Sequence, residues 1–220
     1  MSNPKIQVYF MPGMAANPSI FDHIVLDGEK FEKHLLEWTI PERGMSLKDY
    51  ALIMCNKIEH KNPVLIGVSF GGMLVQEMAK HIPVRKLIIV SSVKQNKELP
   101  KRMKFARRTK IYKLLPTSLV SNIHFLNKFA FGGKVNKRLE LYEQYLSVKD
   151  KYYIDWSIDQ IVNWEQSEYD DCLIHIHGEK DPVFPIKYIK NCIPVKNGTH
   201  TMIIHRYKWF NEHLPTIILE

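Results

Sequence analysis

Val64-Leu65-Ile66-Gly67-Val68 offers no polar position to solvent, so a strand made from it has to be covered on both faces. A central strand of a parallel sheet, with helices above and below, meets that demand. The run passes into Ser69-Phe70-Gly71-Gly72 and then into a segment whose apolar positions Leu74, Val75, Met78 and Ala79 recur at helical spacing. Strand, sharp turn and helix therefore follow one another, and a serine stands at the apex. Gly67 and Gly71 flank it at minus two and plus two, where backbone approaches backbone and a Cβ has no room.

The rest of the chain repeats the alternation of buried-strand and amphipathic segments that builds an α/β sheet with crossover helices. Strands are expected at Lys5 to Phe10, Leu35 to Ile40, Lys86 to Ser91, Cys172 to His177 and Ile193 to Val195. Helices are expected over Ser46 to His60, where Ser46 and Asp49 form a capping-box pair, over Gly71 to His81, and near Arg206 to His213. Between Lys94 and Asp170 no strand-like run occurs. Helical clusters such as Phe105, Ile111, Leu114 and Leu115, then Leu139, Tyr142, Tyr145 and Leu146, punctuated by Pro100, Pro116 and Gly132-Gly133, mark three or four short helices. The expected division is 1–93 and 171–220 for the sheet domain and 94–170 for a helical insertion.

No apolar run reaches the roughly 18 residues needed to cross a bilayer, and the N-terminus shows no signal-like apolar region, so the cytoplasm is the default compartment. Three cysteines without CxxC spacing, Cys55, Cys172 and Cys192, form neither a disulfide framework nor a zinc ribbon and are read as small buried apolar residues. The net charge of +8 is concentrated: from Lys94 to Lys113 nine basic residues face only Glu98. A solvated helix face explains such a run, and the alternative is attraction of an acidic substrate, an acyl-phosphopantetheine carrier or an anionic membrane surface. Nucleic acid is not indicated, because the excess is local and not interleaved with stacking aromatics.

A serine hydroxyl is a weak nucleophile at neutral pH and needs a base, which in turn needs an orienting acid. Both are available downstream. Asp181 follows the strand ending at His177, on the edge where open α/β sheets place their sites, whereas Asp171 lies at the opposite end. His200 occupies a glycine-marked loop, Lys196-Asn197-Gly198-Thr199-His200, before the last helix. Serine, aspartate and histidine thus occur in the order Ser69, Asp181, His200.

In these motifs the chain resembles the α/β-hydrolase superfamily over nearly all of its length outside the insertion. The resemblance implies an α/β-hydrolase fold: a mostly parallel sheet, helices on both faces and a helical cap at 94–170. It also implies that Ser69 is the nucleophile, His200 the general base and then acid, and Asp181 the group that fixes the imidazole tautomer. It implies further an oxyanion hole of two backbone N–H groups, Phe70 after the nucleophile and Met14 after the first strand. Pro12 stands where many members carry histidine.

His175 and His177 share one face of a strand, but the continuation lacks the further histidine of a two-metal HxHxDH site, so no metal ligand is assigned. His175 is read as a core histidine with a satisfied hydrogen bond and His177 as packing beside the Asp181 loop. His23, His34, His60 and His81 are read as surface residues. The aromatics Tyr142, Tyr145, Tyr152, Tyr153, Trp156, Trp164 and Tyr169 either pack on the core or line an apolar pocket over Ser69.

The expected activity is hydrolysis of a carboxylic ester with a small or medium acyl group, through an acyl-enzyme on Ser69 and without cofactor or metal. Serine at the elbow argues against the epoxide and haloalkane branches, which use a carboxylate there. An acyl thioesterase acting on an acidic carrier or coenzyme A thioester is one alternative, and a non-catalytic ligand-binding member of the fold is another. C–C bond cleavage uses the same triad. A small-molecule ester or thioester is the expected partner, with no integral membrane association, and oligomeric state is left open.

Overall fold

The computed structural model describes residues 4–115, 145–170 and 172–220. Six strands pair in parallel in the order β2-β1-β3-β4-β5-β6. They are β1 (Ile6–Met11), β2 (Phe31–Leu35), β3 (Val64–Val68), β4 (Lys86–Val90), β5 (Ile174–Gly178) and β6 (Ile193–Val195). β3, buried at every position, sits mid-sheet as its composition requires. The chain adds β2 on one side of β1 and β3 on the other. This reversal of winding opens a crevice at the carboxyl ends of β1 and β3.

Alternate residues of the strands feed two cores. Val8, Phe10, Val64, Ile66, Val68, Ile88 and Val90 face a layer that includes Phe21, Phe210 and Leu214. Tyr9, Met11, Leu65, Leu87 and Ile89 face the other layer, with Phe70, Leu74, Met78, Tyr50, Trp38 and Trp156. The helices of the second layer are α1 (Leu47–Cys55), α2 (Phe70–Met78) and, from the insertion, α4 (Lys151–Asn163). The first layer is closed by α5 (Met202–His205) and α6 (Tyr207–Leu219).

Ser46 caps α1 through a reciprocal box with Asp49, as the sequence indicates, although the helix ends at Cys55. The second strand is the main correction. It lies at Phe31–Leu35, not at Leu35 to Ile40, because an edge strand needs little burial and only Phe31 of its residues is buried. Leu36 and Trp38, whose hydrophobicity suggested the strand, instead leave the sheet and enter the core. The last helix runs beyond His213 to Leu219 and contains Pro215. Burial of Leu214, Ile217 and Ile218 offsets a proline penalty of about 3 kcal/mol.

Three surface and burial assignments change. Cys172 is exposed and Cys55 and Cys192 are half-buried, all three as free thiols, so none is a buried core residue. His34 and His60 are half-buried: the Tyr9 ring stacks on His34 at 4.4 Å and its hydroxyl meets His60 Nδ1 at 2.7 Å. Tyr9, aromatic and on a strand, provides the surface that draws these histidines in. Lys94 does not join the solvated basic face but is 2% exposed, with Nζ donating to Asn191 O at 3.2 Å and lying over the Tyr169 ring. Its long stem is buried while the ammonium keeps polar partners.

In the 94–170 segment the described helical elements include α3 (Lys101–Thr109) and α4. The expected helical clusters at Leu139 and Tyr142, with Pro116 and Gly132-Gly133, lie outside the described residues, as does Asp171. Among the described residues no helix is long and apolar enough to cross a membrane.

Candidate active site

Three chain segments meet past the carboxyl ends of β3, β5 and β6. The first is the turn after β3. Ser69 adopts φ 53° and ψ −118°, a conformation that non-glycine residues rarely enter. It is over-determined by its surroundings. Ser69 N donates to Val90 O at 2.9 Å, and Ser69 O accepts from Gly72 N at 2.9 Å and from Ser92 Oγ at 2.7 Å. A Cβ on Gly67 would lie 2.3 Å from Gly71 O, and one on Gly71 would lie 2.3 Å from Pro12 O. Glycine at these two positions is therefore a packing requirement that joins the elbow to the loop after β1.

The second segment is the loop after β5. Asp181 N donates back to Gly178 O, which turns the chain, and Asp181 Oδ1 accepts from Val183 N at 2.8 Å and Phe184 N at 3.0 Å. Its side chain is wholly buried, and Oδ2 is left to face His200. The third segment, after β6, is held against the second by Lys180 N donating to Gly198 O at 2.8 Å. Gly178 allows that approach, since a Cβ there would meet Gly198 O at 2.5 Å.

His200 closes the arrangement, with Nδ1 2.9 Å from Asp181 Oδ2 and Nε2 2.9 Å from Ser69 Oγ. Burial alone would raise the Asp181 carboxyl. The charge and hydrogen bond of His200, with His177 and the Phe184 N–H, outweigh burial and hold it below the usual carboxylate range. An ionised Asp181 accepts the Nδ1 proton of His200, which leaves the Nε2 lone pair directed at the serine hydroxyl. The three side chains that the sequence picks out are thus brought together.

Phe70 begins α2, so its N–H lies at the positive end of that helix and has no intrahelical acceptor. Among the described residues neither it nor the Met14 N–H donates a hydrogen bond. Gly13 lies against the nucleophile: a Cβ on it would be 3.4 Å from Ser69 Cβ and 4.0 Å from Ser69 Oγ. Phe70 adjoins Ser69 in the chain, and Met14 follows the residue that packs against it.

Sequence reasoning missed what holds the Pro12-Gly13-Met14 loop. Trp38 Nε1 lies 3.0 Å from Pro12 O and 2.9 Å from Gly13 O, and the indole stacks on Phe70. On the far side Ala15, at φ 61°, donates its N–H to the Tyr153 hydroxyl at 3.2 Å and accepts through its carbonyl from Ser147 N at 3.0 Å. A tryptophan just beyond an edge strand carries no local signature of such a role.

Three aromatic residues of the insertion, Tyr153, Trp156 and Trp164, are packed rather than open. Tyr153 and Trp156 are buried with Trp38, Tyr50 and Phe70, and Trp156 Nε1 donates to Met45 O at 2.7 Å. Trp164 is buried and donates to Glu77 Oε1. Tyr142 lies outside the described residues. His175 and His177 turn to each other, with His175 Nε2 3.0 Å from His177 Nδ1 and His177 Nε2 2.8 Å from Phe184 O. The carbonyl can only accept, so a neutral His177 carries its proton on Nε2 and accepts from His175. His175 is thus the core histidine, and His177 the neighbour of the Asp181 loop, that the sequence suggests.

No protein-family model matches the sequence, and no curated protein matches it. Solved structures do resemble it. A lipase-esterase related protein from Clostridium acetobutylicum is 19% identical, with TM-score 0.69 over 99% of this chain and 96% of that one. An esterase from Exiguobacterium antarcticum is 16% identical, with TM-score 0.71 over 100% and 94%. MenH from S. aureus is 12% identical, with TM-score 0.77 over 99% and 95%. With six parallel strands, a serine at the strand-to-helix elbow and these structural likenesses, the chain has the α/β-hydrolase fold.

Proposed function

We propose that the chain is a serine hydrolase that cleaves a carboxylic ester of small or medium acyl size through an acyl-enzyme on Ser69. The observation that carries this reading is the continuous hydrogen-bonded line from Asp181 Oδ2 through His200 to Ser69 Oγ, at 2.9 Å for each step. His200 takes the Ser69 proton as Oγ attacks the ester carbonyl carbon. The oxygen that gains charge is received by the N–H groups of Phe70 and Met14. Removing such a donor typically costs about 3–4 kcal/mol in the barrier. Collapse of the tetrahedral intermediate breaks the C–O bond, and the imidazolium of His200 protonates the departing alcohol. Water then enters, loses a proton to His200 and releases the acid, restoring Ser69.

Asp181 stays ionised through the cycle, keeps the tautomer and steadies the imidazolium. Phe184, itself buried in the core, meets the His200 imidazole edge-on at 5.7 Å and so packs behind the ring. The segment between β4 and β5 is read as a cap whose helix α4 supports the Gly13 to Ala15 loop through Tyr153. Low-identity likeness to esterases supports the ester reading by fold alone.

Labelling with a fluorophosphonate, followed by intact mass and peptide mapping, tests the proposal. A single adduct on Ser69, absent in Ser69→Ala, is expected. Absence of any adduct would favour a ligand-binding protein that uses the same fold without turnover.

A further inference from the structure

Helix α3 has no fully buried residue, and from Leu99 to Leu115 the sequence has no acid. Its inner side is set by Met103 and Ala106, which pack partly on the core, and by Arg107, which pairs with Glu165. Arg102 is also committed, since Nη2 donates to Pro182 O at 2.9 Å and Val183 O at 2.7 Å, tying the helix to the loop after Asp181. Lys101, Lys104, Phe105 and Arg108 follow an i, i+3, i+4, i+7 spacing and are all exposed, so they share the outer face. Lys110 stands in the left-handed region and turns the chain, after which Ile111, Lys113 and Leu114 are exposed in turn.

Together the outer face of α3 and the turn after it expose five cations and three large apolar side chains, Phe105 at 62%, Ile111 at 51% and Leu114 at 81% exposure. Isolated exposed apolar residues need no explanation, but three set among cations in a stretch whose own sequence holds no acid form an amphipathic surface. We propose that α3 and the turn after it are a docking face for an anionic lipid bilayer. The cations meet the phosphates of the headgroups, while the phenyl and aliphatic side chains enter the boundary between headgroups and acyl chains. Soluble polyanions such as RNA would engage the lysines but provide no apolar layer for Ile111 and Leu114, which cannot stack on bases. The inference does not rest on the esterase reading, because attachment is measured without turnover.

Cosedimentation of the purified full chain with vesicles of phosphatidylcholine alone, or mixed in equal parts with phosphatidylglycerol, is the test. Binding to the mixed vesicles at least about tenfold tighter, and weakened by salt, is expected. Lys101→Glu with Arg108→Glu and Lys113→Glu should abolish it. Phe105→Ser with Leu114→Ser should weaken vesicle binding about tenfold while leaving retention on heparin unchanged. Melting curves matching the wild type confirm that each variant folds, and Lys101→Gln with Arg108→Gln replaces the charge reversal if it does not. Failure to bind the mixed vesicles, or undiminished binding by either set of variants, overturns the proposal. So does binding to heparin as tight as to vesicles with no effect of the Phe105 and Leu114 changes.

Discussion

Trp38 lies flat on Phe70, with ring centroids 4.8 Å apart and planes within 5°, while its Nε1 is shared between the carbonyls of Pro12 and Gly13. One side chain thus fixes the loop that carries Met14 against Phe70, the two residues whose N–H groups the proposed mechanism uses. Trp38→Phe keeps a ring in the stack but takes the indole donor from the Pro12 carbonyl, while Gly13 O keeps Ala16 N at 3.1 Å. A stability loss of about 1–3 kcal/mol follows. A misplaced oxyanion loop should also lower kcat on a soluble ester about tenfold to hundredfold with little change in KM. Steady-state kinetics beside a melting curve separates the two effects, and a loss confined to Tm would reduce Trp38 to a packing residue.

Asp181→Asn preserves an Oδ1 acceptor for Val183 N and Phe184 N, so the loop should keep its shape. It deprives His200 Nδ1 of an ionised partner and favours the wrong tautomer. Turnover of an activated ester should fall by about four orders of magnitude with the melting temperature little changed. Activity within tenfold of wild type would assign the orienting acid elsewhere.

Gly67→Ala places a methyl group 2.3 Å from the Gly71 carbonyl oxygen, and backbone on both sides leaves little room to yield. The substitution should cost at least about 1–3 kcal/mol and abolish Ser69 labelling. Gly28→Ala is the matched control. Nothing lies within 4 Å of a Cβ there, so its unfolding midpoint in urea should stay within about 0.5 kcal/mol of wild type.

Acid should destabilise the chain well above the range where carboxylates titrate. Burial, reinforced by His177 and Lys94, holds His175 well below its ordinary value, and burial outweighs the Asp181 charge to lower His177 as well. Both are neutral in the fold and become charged near pH ~6.5 once unfolded. The unfolded chain then binds more protons, so stability rises with pH and is lost as pH falls below about 6.5, until the folded values are reached. Each histidine contributes a slope of up to about 1.4 kcal/mol per pH unit. Urea unfolding at pH 7.5, 6.5 and 5.5 should show that slope, and His175→Gln should lower it. An unchanged slope in that variant would trace the acid sensitivity to other groups.

What the amino-acid sequence determined by itself was whatever a short stretch must satisfy alone. The all-apolar Val64–Val68 run can only be a covered central strand, and Gly67 and Gly71 around Ser69 read as a turn too tight for a Cβ. Asp181 and His200 were legible because each stands just past a strand, where this kind of sheet collects its loops. Tertiary structure decided the rest, because those features depend on partners far along the chain. The edge strand Phe31–Leu35 is polar enough to read as a loop and becomes a strand only through pairing with β1. Trp38 reaches Pro12 and Gly13, and Tyr153 reaches Ala15 across 138 positions, so no local pattern could connect them to the oxyanion loop. Burial of Lys94 was likewise invisible. A lysine inside a basic run looks solvated until the fold supplies the Asn191 carbonyl and the Tyr169 ring that let its ammonium leave water.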